Sequence, residues 1–287
     1  MSIKLGPNRY GKAENRVVRV TKTGDTHEIR DLNVSVALSG DMDETHHTGD
    51  NAAVLPTDTQ RNTVFAFAKK NGITSPEGFG LLLARHFVRS QPTVHHARIG
   101  LEEYLWERNP VRPYSFVRSG QETRTARVHY DGDNAWVVSG LRGLVVLNST
   151  GSEFHGYIKD QFTTLQPAHD RVLATEVNAE WRHVSFSSEW DKSYLKVRAC
   201  LLEAFADTYS LSLQQTLYAM GDRVLNACPG ICEIRLSLPN KHHFAVDLSA
   251  FGLGNDNEVF FAADRPYGLI EGTVLRETAP DAGPAWD

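Results

Sequence analysis

Leu32-Asn33-Val34-Ser35-Val36-Ala37-Leu38 sets an apolar side chain at every second position, the period of a strand with one buried and one solvated face. Upstream, Val18 and Val20 begin a second alternating run, and Thr23-Gly24-Asp25 between the two reads as the turn of a hairpin. Downstream the pattern changes. Residues 40–51 are polar, include His46-His47, and read as a loop. Thr57-Asp58-Thr59-Gln60 has the form of a capping box opening a helix that ends at Asn71-Gly72. Ser75-Pro76-Glu77 opens another, with Phe79, Leu82, Leu83, His86 and Phe87 at helical spacing, closing before Pro92. Strands resume at about 94–107 and 124–130.

The second half repeats that order. Strands at about 143–147 and 171–181 precede a helix with Tyr194, Val197, Leu201 and Phe205 on one face. Ser212 with Gln215 three residues on caps the next helix, which carries Leu213, Leu217, Met220 and Val224. Strands follow at 231–238 and about 258–262, and the tail after Thr278 reads as frayed. Two copies of strand-strand-helix-helix-strand-strand argue a duplicated α+β unit, each with helices on one face of an antiparallel sheet. The boundary is expected within 132–140, giving units of 1–136 and 137–287. Uncovered sheet faces and edges call for partner subunits.

At 287 residues the chain suits two domains, and a hydrophobic content of 41% is ordinary for a soluble globular protein. The net charge of −5 argues against nucleic acid and anionic membranes as partners, since both call for concentrated positive charge. Three cysteines (Cys200, Cys228, Cys232) are too few for a disulfide scaffold, and Cys228-Pro-Gly-Ile-Cys232 lacks a second ligand pair at zinc-finger spacing. The N-terminal stretch has no apolar signal core, no run approaches the ~20 apolar residues of a membrane span, and Ala285-Trp286-Asp287 is not a peroxisomal address. A cytoplasmic location is expected.

The segment most informative about chemistry is L-V-V-L-N-S-T-G-S-E-F-H-G-Y-I-K-D-Q-F-T-T-L-Q-P-A-H-D-R, residues 144–171. It gathers Phe154, Tyr157, Phe162 and Leu165 with a buried-looking Arg171. A guanidinium beside an aromatic face and an aliphatic wall suits a flat, hydrogen-bonding heterocycle, gripped by the fork while the ring stacks. Alone, Phe154 and Leu165 would most often be core residues, and Arg171 a surface ion pair with Asp170. The segment resembles the signature of the urate oxidases, the uricase family, almost position by position; Asn148 stands where the family usually has lysine. Four further matches follow the family's order: Tyr10-Gly11-Lys12, Thr57-Asp58, Leu213-Gln214 and Asn240-Lys241-His242.

The resemblance covers essentially the whole chain and implies a fold and a reaction. The fold would be two tandem tunnelling-fold units whose sheets assemble into an oligomeric β-barrel tunnel, as a homotetramer with active sites at subunit interfaces. The reaction would be a cofactor-free oxidation, urate + O2 + H2O giving 5-hydroxyisourate and H2O2, with no metal. By the same resemblance Lys12, Thr57 and His242 are catalytic, Thr57 coupling to Lys12 in a proton relay that His242 orients. The Thr57 and Asp58 backbone would meet the purine edge, Phe154 stack on the ring, and Leu165 pack against it. Arg171 and Gln214 would form a tweezer, Leu213 add a backbone contact, and Asn240 hold water or dioxygen above the plane.

Each of these has a plainer reading. Lys12 alone reads as a solvated lysine, Thr57-Asp58 as a helix start, and Gln214 as a solvated first-turn glutamine. A helix start nevertheless offers free amides to an anion, a carboxamide suits an N–H/C=O edge, and residues two apart such as Asn240 and His242 face one side of an extended chain. His46-His47, His95-His96 and His242-His243 make weak metal candidates, because adjacent residues on a strand point apart and no carboxylate or cysteine pattern completes a site. Two rivals remain. One is a cyclohydrolase or aldolase of pterin metabolism on the same fold, which would favour a zinc constellation or an anchoring glutamate. The other is a non-catalytic oligomeric binding protein, which has no need of Lys12, Thr57 and His242 together.

Overall fold

In a computed structural model that describes residues 3–184 and 189–287, the alternating run at Leu32 to Leu38 lies in strand β2 (Thr26–Gly40). Met1 and Ser2, part of the stretch read as lacking a signal core, lie outside the described residues. Strand β1 (Tyr10–Thr23) pairs antiparallel with β2. Leu32, Val34, Val36 and Leu38 are all buried, whereas Val18 and Val20 are exposed. The period of β1 is the one expected, but its inward set is Asn15 and Val17, so Val18 and Val20 lie on the open face of the sheet.

The chain divides into two compact units: Met1–Gly140 with Arg182–Lys192 and Pro280–Asp287, and Leu141–Trp181 with Ser193–Ala279. In the first unit a five-residue helix α1 (Asp43–His47) interrupts the stretch expected to be loop. Helices α2 (Thr57–Asn71) and α3 (Pro76–Ser90) follow, then strands β3 (Val94–Arg108) and β4 (Phe116–Tyr130). The order β1-β2-β3-β4 is antiparallel throughout. Val64, Phe79, Leu83 and Phe87 from the helices pack on Leu32, Leu38, Ile99 and Val128. Full burial of each such side chain contributes roughly 1.5–3 kcal/mol before chain entropy is set against it.

Ser75 caps α3 through its hydroxyl, which accepts from the Gly78 amide at 3.1 Å. Helix α2 differs from the capping-box expectation. Its N-cap is Pro56, with no side-chain cap, and Thr57 is already the first helical residue. The tail is not frayed either: Arg182 donates to the Pro280 and Asp281 carbonyls, and Ala285 is fully buried.

In the second unit the sheet order is β5 (Ala135–Asn148), β6 (Leu173–His183), β7 (Ile231–Pro239) and β10 (Leu269–Leu275). Helices α4 (Trp190–Asp207) and α5 (Leu213–Ala227) lie between β6 and β7 in the chain, and Val197, Leu201, Leu217, Met220 and Val224 fill the core. The strand expected near 258–262 is β9 (Phe260–Ala262), which pairs with β8 (His243–Ala245) in a separate ribbon. The partner of β7 is β10 instead.

Helix α5 lies close on β10 because glycines stand at both contacts. A Cβ at Gly221 would meet Val274 Cγ2 at 2.5 Å, and one at Gly272 would meet Leu217 Cδ2 at 2.8 Å. The three cysteines are buried and form no disulfide among the described residues, and burial followed by the neighbouring Cys200 pushes the Cys228 thiol up to about 11. No helix among the described residues is long and apolar enough to cross a membrane.

Candidate active site

The segment 149–171 carries little regular structure, and what fixes it is a short set of backbone bonds. Ser152 bridges to Ser210, with the Glu153 amide donating to the Ser210 carbonyl at 2.8 Å and the Ser210 amide to the Gly151 carbonyl at 2.9 Å. Ser210 in turn accepts from the Thr216 hydroxyl at 2.8 Å, which ties the segment to the first turns of α5. Phe154 and Ala168 exchange two backbone bonds, at 2.8 and 3.0 Å, so residues 152–155 and 168–171 run as two facing arms.

Arg171 ends the second arm. Its amide donates to the Ser152 carbonyl at 2.9 Å and its Nε to the Ser152 hydroxyl at 3.1 Å. These bonds hold the guanidinium 5.3 Å from the centre of the Phe154 ring, which stacks on Tyr157 with centroids 5.1 Å apart. Tyr157 donates to the Leu165 carbonyl at 2.6 Å, bringing the half-exposed Leu165 to the same place. Arg171 is half-buried rather than buried, and burial lowers its pKa from the usual arginine value. It makes no ion pair among the described residues; Asp170 accepts from Thr150 instead. The remaining N–H groups of the fork are thus open to a ligand, in a setting less screened than the surface.

The N-terminus of α5 supplies the next group. Ser212 accepts from the Gln215 amide at 3.1 Å, and Gln215 reaches back to the Leu211 amide at 2.8 Å, so the expected capping box is present, shifted by one residue on its return bond. With Gln215 occupied in this way, Gln214 one position earlier is exposed and its carboxamide has no partner among the described residues. Leu213 beside it is buried and anchors the turn.

Beyond β7 the chain remains extended. Asn240 bridges Thr175 and donates its amide to the Gly268 carbonyl at 2.8 Å. His242 accepts weakly from the Gly268 amide at 3.4 Å and stacks on Phe244 at 5.7 Å. Burial, then the positive charge of Arg171, holds the His242 pKa below the usual histidine value, which favours a neutral imidazole able to pass a proton.

Phe154, Leu165, Arg171, Leu213, Gln214, Asn240 and His242 all line one cavity of about 510 Å³ in the second unit, within the size range of small-molecule sites. Asn240 and His242 open into it together, as their spacing suggests, and His243 shares the wall while its Nδ1 lies 2.9 Å from the Lys241 carbonyl. Ser152, which aims Arg171, has no signal in the sequence, because a serine among Ser-Thr-Gly-Ser reads as a turn.

Lys12, Thr57 and Asp58 belong to the first unit and are not among the residues lining that cavity. Lys12 precedes a bulge in β1 that Asn15 fastens, its carboxamide donating to the Lys12 carbonyl at 2.9 Å and to Val34 at 2.8 Å. Gly11 is required beside it, since a Cβ there would fall 1.8 Å from the Val36 carbonyl oxygen. Lys12 is half-buried and makes no ion pair among the described residues. Thr57, half-buried, has a hydroxyl without a hydrogen-bond partner among them. The Asp58 carboxylate is engaged with Arg61 at 2.6 Å and Asn62 at 2.9 Å, leaving its backbone to face outward from the uncapped helix start.

The chain matches the uricase family model over residues 8–129 and 137–271. It is 50% identical over 284 residues to a uricase of Arthrobacter globiformis, covering 99% of this chain and 94% of that protein. A uricase of Dictyostelium discoideum is 37% identical over 277 residues, covering 94% and 96%. The crystal structure of the Arthrobacter globiformis uricase superposes with a TM-score of 0.97 at 49% identity, covering 100% of this chain and 99% of that one. With both halves matched and nearly every residue covered, the chain belongs to the uricase family.

Proposed function

We propose that the chain catalyses urate + O2 + H2O → 5-hydroxyisourate + H2O2, in purine breakdown in the cytoplasm, without metal or organic cofactor. The observation that carries this reading is the half-buried Arg171 fork, free of any carboxylate among the described residues, lying against Phe154 in a cavity whose wall also presents the free Gln214 carboxamide. A flat anion with alternating N–H and C=O groups meets both demands. The fork takes a carbonyl and a ring nitrogen, Gln214 takes the opposite edge, Phe154 stacks on the ring and Leu165 closes its side. The Leu213 backbone adds a contact at the same edge.

Urate bound as an anion is electron-rich enough to give two electrons to dioxygen, which leaves as hydrogen peroxide. Water then supplies the oxygen atom at the oxidised carbon. The protein contributes deprotonation, positioning and a polar niche. Asn240 holds dioxygen and then water above the ring, and Lys12 with Thr57 moves the proton, oriented by His242. The Thr57 and Asp58 amides, uncapped at the start of α2, receive the remaining purine edge.

Lys12, Thr57 and Asp58 come from the first tunnelling-fold copy and the other site residues from the second. In the proposed homotetramer each site joins the first copy of one subunit to the second copy of its neighbour, with the sheets closing into a barrel-shaped tunnel. Exposed apolar side chains on the strands of each unit, Val18 and Val20 in the first and Val145 and Leu147 in the second, support such burial. The test is to add urate to protein stripped of metal by exhaustive chelation, following loss of urate ultraviolet absorbance together with peroxide. Stoichiometric peroxide is expected. Activity lost on chelation and recovered with a single metal overturns the cofactor-free reading.

A further inference from the structure

On the face of the arms opposite Phe154 and Arg171 lies a cluster that the urate reading does not use. Residues 153 and 155 flank Phe154 on an extended arm, so their side chains point away from its ring. The Phe154–Ala168 pairing sets Glu153 directly across from 169 and His155 diagonal to it. The result is Glu153, His155 and His169 with their ligand atoms all within 4.8 Å of one another. His155 Nε2 lies 2.8 Å from Glu153 Oε2, and the His155 and His169 rings are 4.8 Å apart. The other oxygen, Glu153 Oε1, accepts from the Tyr209 hydroxyl, which fixes the carboxylate plane from behind.

We propose that Glu153, His155 and His169 form a binding site for a divalent transition-metal ion of borderline softness, zinc above all, separate from the purine cavity. Two imidazoles and one carboxylate are the donor set that zinc accepts with water in the fourth position. Ligand atoms about a tetrahedral zinc stand about 3.3 Å apart, from bonds of about 2.0–2.1 Å. The present cluster reaches that by rotation of His155 and His169, both exposed side chains. Tyr209 fills the orienting role that a hydrogen-bonded neighbour commonly plays for a ligating carboxylate. Sequence spacing alone hides this group, because His169 lies fourteen positions from His155 and only the facing arms bring them together. Zinc there would tie residues 153–155 to residue 169 outside the lining of the purine cavity, with no part in turnover.

The test needs neither urate nor turnover, so it stands apart from the catalytic reading. Zn2+ is titrated into the metal-free full chain against a competing chromophoric chelator, for the natural protein, His155→Ala, His169→Ala, the double variant, and His46→Ala as a control at an exposed histidine elsewhere. The natural protein and the control should bind one Zn2+ per chain that the double variant does not. Each single substitution should weaken that binding by at least about tenfold. Zinc should raise the melting temperature of the natural protein and leave that of the double variant unchanged. Far-UV circular dichroism checks that the variants are folded. A natural protein without zinc binding, or a double variant that binds as tightly and in the same ratio, overturns the proposal.

Discussion

Arg171→Met keeps much of the apolar stem and removes the fork, so it isolates what the guanidinium does for the ligand. Arg171 is half-buried and lacks a carboxylate partner among the described residues, which means that its loss leaves no orphaned counter-charge in the protein. Two charge-assisted hydrogen bonds to a purine anion contribute about 1.5–3 kcal/mol each, and half-burial places them at the lower end, about 3–4 kcal/mol together. At 1.4 kcal/mol per factor of ten, affinity should fall roughly 100- to 700-fold. Calorimetry with xanthine, a flat purine dione taken as an unreactive ligand, measures this free of turnover. A second readout follows from electrostatics. The Arg171 charge helps to hold His242 below its usual pKa, so the imidazole titration of His242, followed by NMR, should move upward in the variant. Xanthine binding within about fivefold of the natural protein would refute the grip assigned to Arg171, and an unmoved His242 titration would refute the coupling between them.

Lys12→Met should lower turnover by about 10²-fold or more while changing xanthine affinity little, the mark of a group that serves the proton transfer rather than binding; near-normal turnover contradicts the relay. Mixing Lys12→Met with Arg171→Ala protein, each nearly inactive, tests whether sites are shared across subunits. In a mixed pair one site inherits both lesions and the other neither, so random reassembly should recover roughly a quarter of natural activity, and mixed oligomers as dead as the parents would exclude sharing. His129, fully buried in β4, has its pKa pushed down to about 3, first by burial and then by His96 and nearby arginines. The unfolded chain takes up that proton near pH 6.5, so stability is complete above that value and is lost as pH falls towards 3, by about 2 kcal/mol at pH 5. Thermal melts at pH 7.5 and 5 should show a smaller acid loss for His129→Gln than for the natural chain, and an equal loss removes His129 from the account.

Long elements with a clean period are legible in the amino-acid sequence. Leu32 to Leu38 alternates because one face of β2 is fully covered, and α3 and α5 announce themselves through Ser75 and Ser212, whose hydroxyls cap as expected. Reading fails where tertiary contacts decide. Strand β10 alternates only weakly, since Leu269 and Leu275 are exposed and Gly272 sits where a larger residue would strike Leu217. The run at Phe260 has the look of the missing strand but pairs with His243 to Ala245 in the small ribbon. Helix α1 is too short for a period, and the tail gives no hint that Ala285 is buried. Among candidate residues, Phe154 and Arg171 can be named from sequence because one long motif holds them, and Gln214, Asn240 and His242 because short matches follow it in the family's order; one cavity collects all five. Ser152 cannot, because its part is played through a bond to Arg171 formed only when the two arms face each other.

The two glycines between α5 and β10 bear on how the specificity of this site could be altered. Neither touches the cavity, and a screen restricted to lining residues would pass over both. Yet α5 begins at Leu213 and Gln214, so its height above the sheet sets how far the carboxamide reaches. A methyl at 272 would sit 2.8 Å from Leu217 Cδ2, well inside the carbon–carbon optimum of about 3.5–4.0 Å, so the Leu217 side chain or the helix that carries it would have to shift to accept it. Gly272→Ala thus acts as a spacer inserted under a lever arm: the chemistry stays intact while the distance between the two jaws widens. Room for a heterocycle would then be set by the thickness of the floor on which one jaw rests as much as by the jaw itself, and Gly272→Ala protein with a wider choice of purine ligands than the natural chain is the outcome to look for.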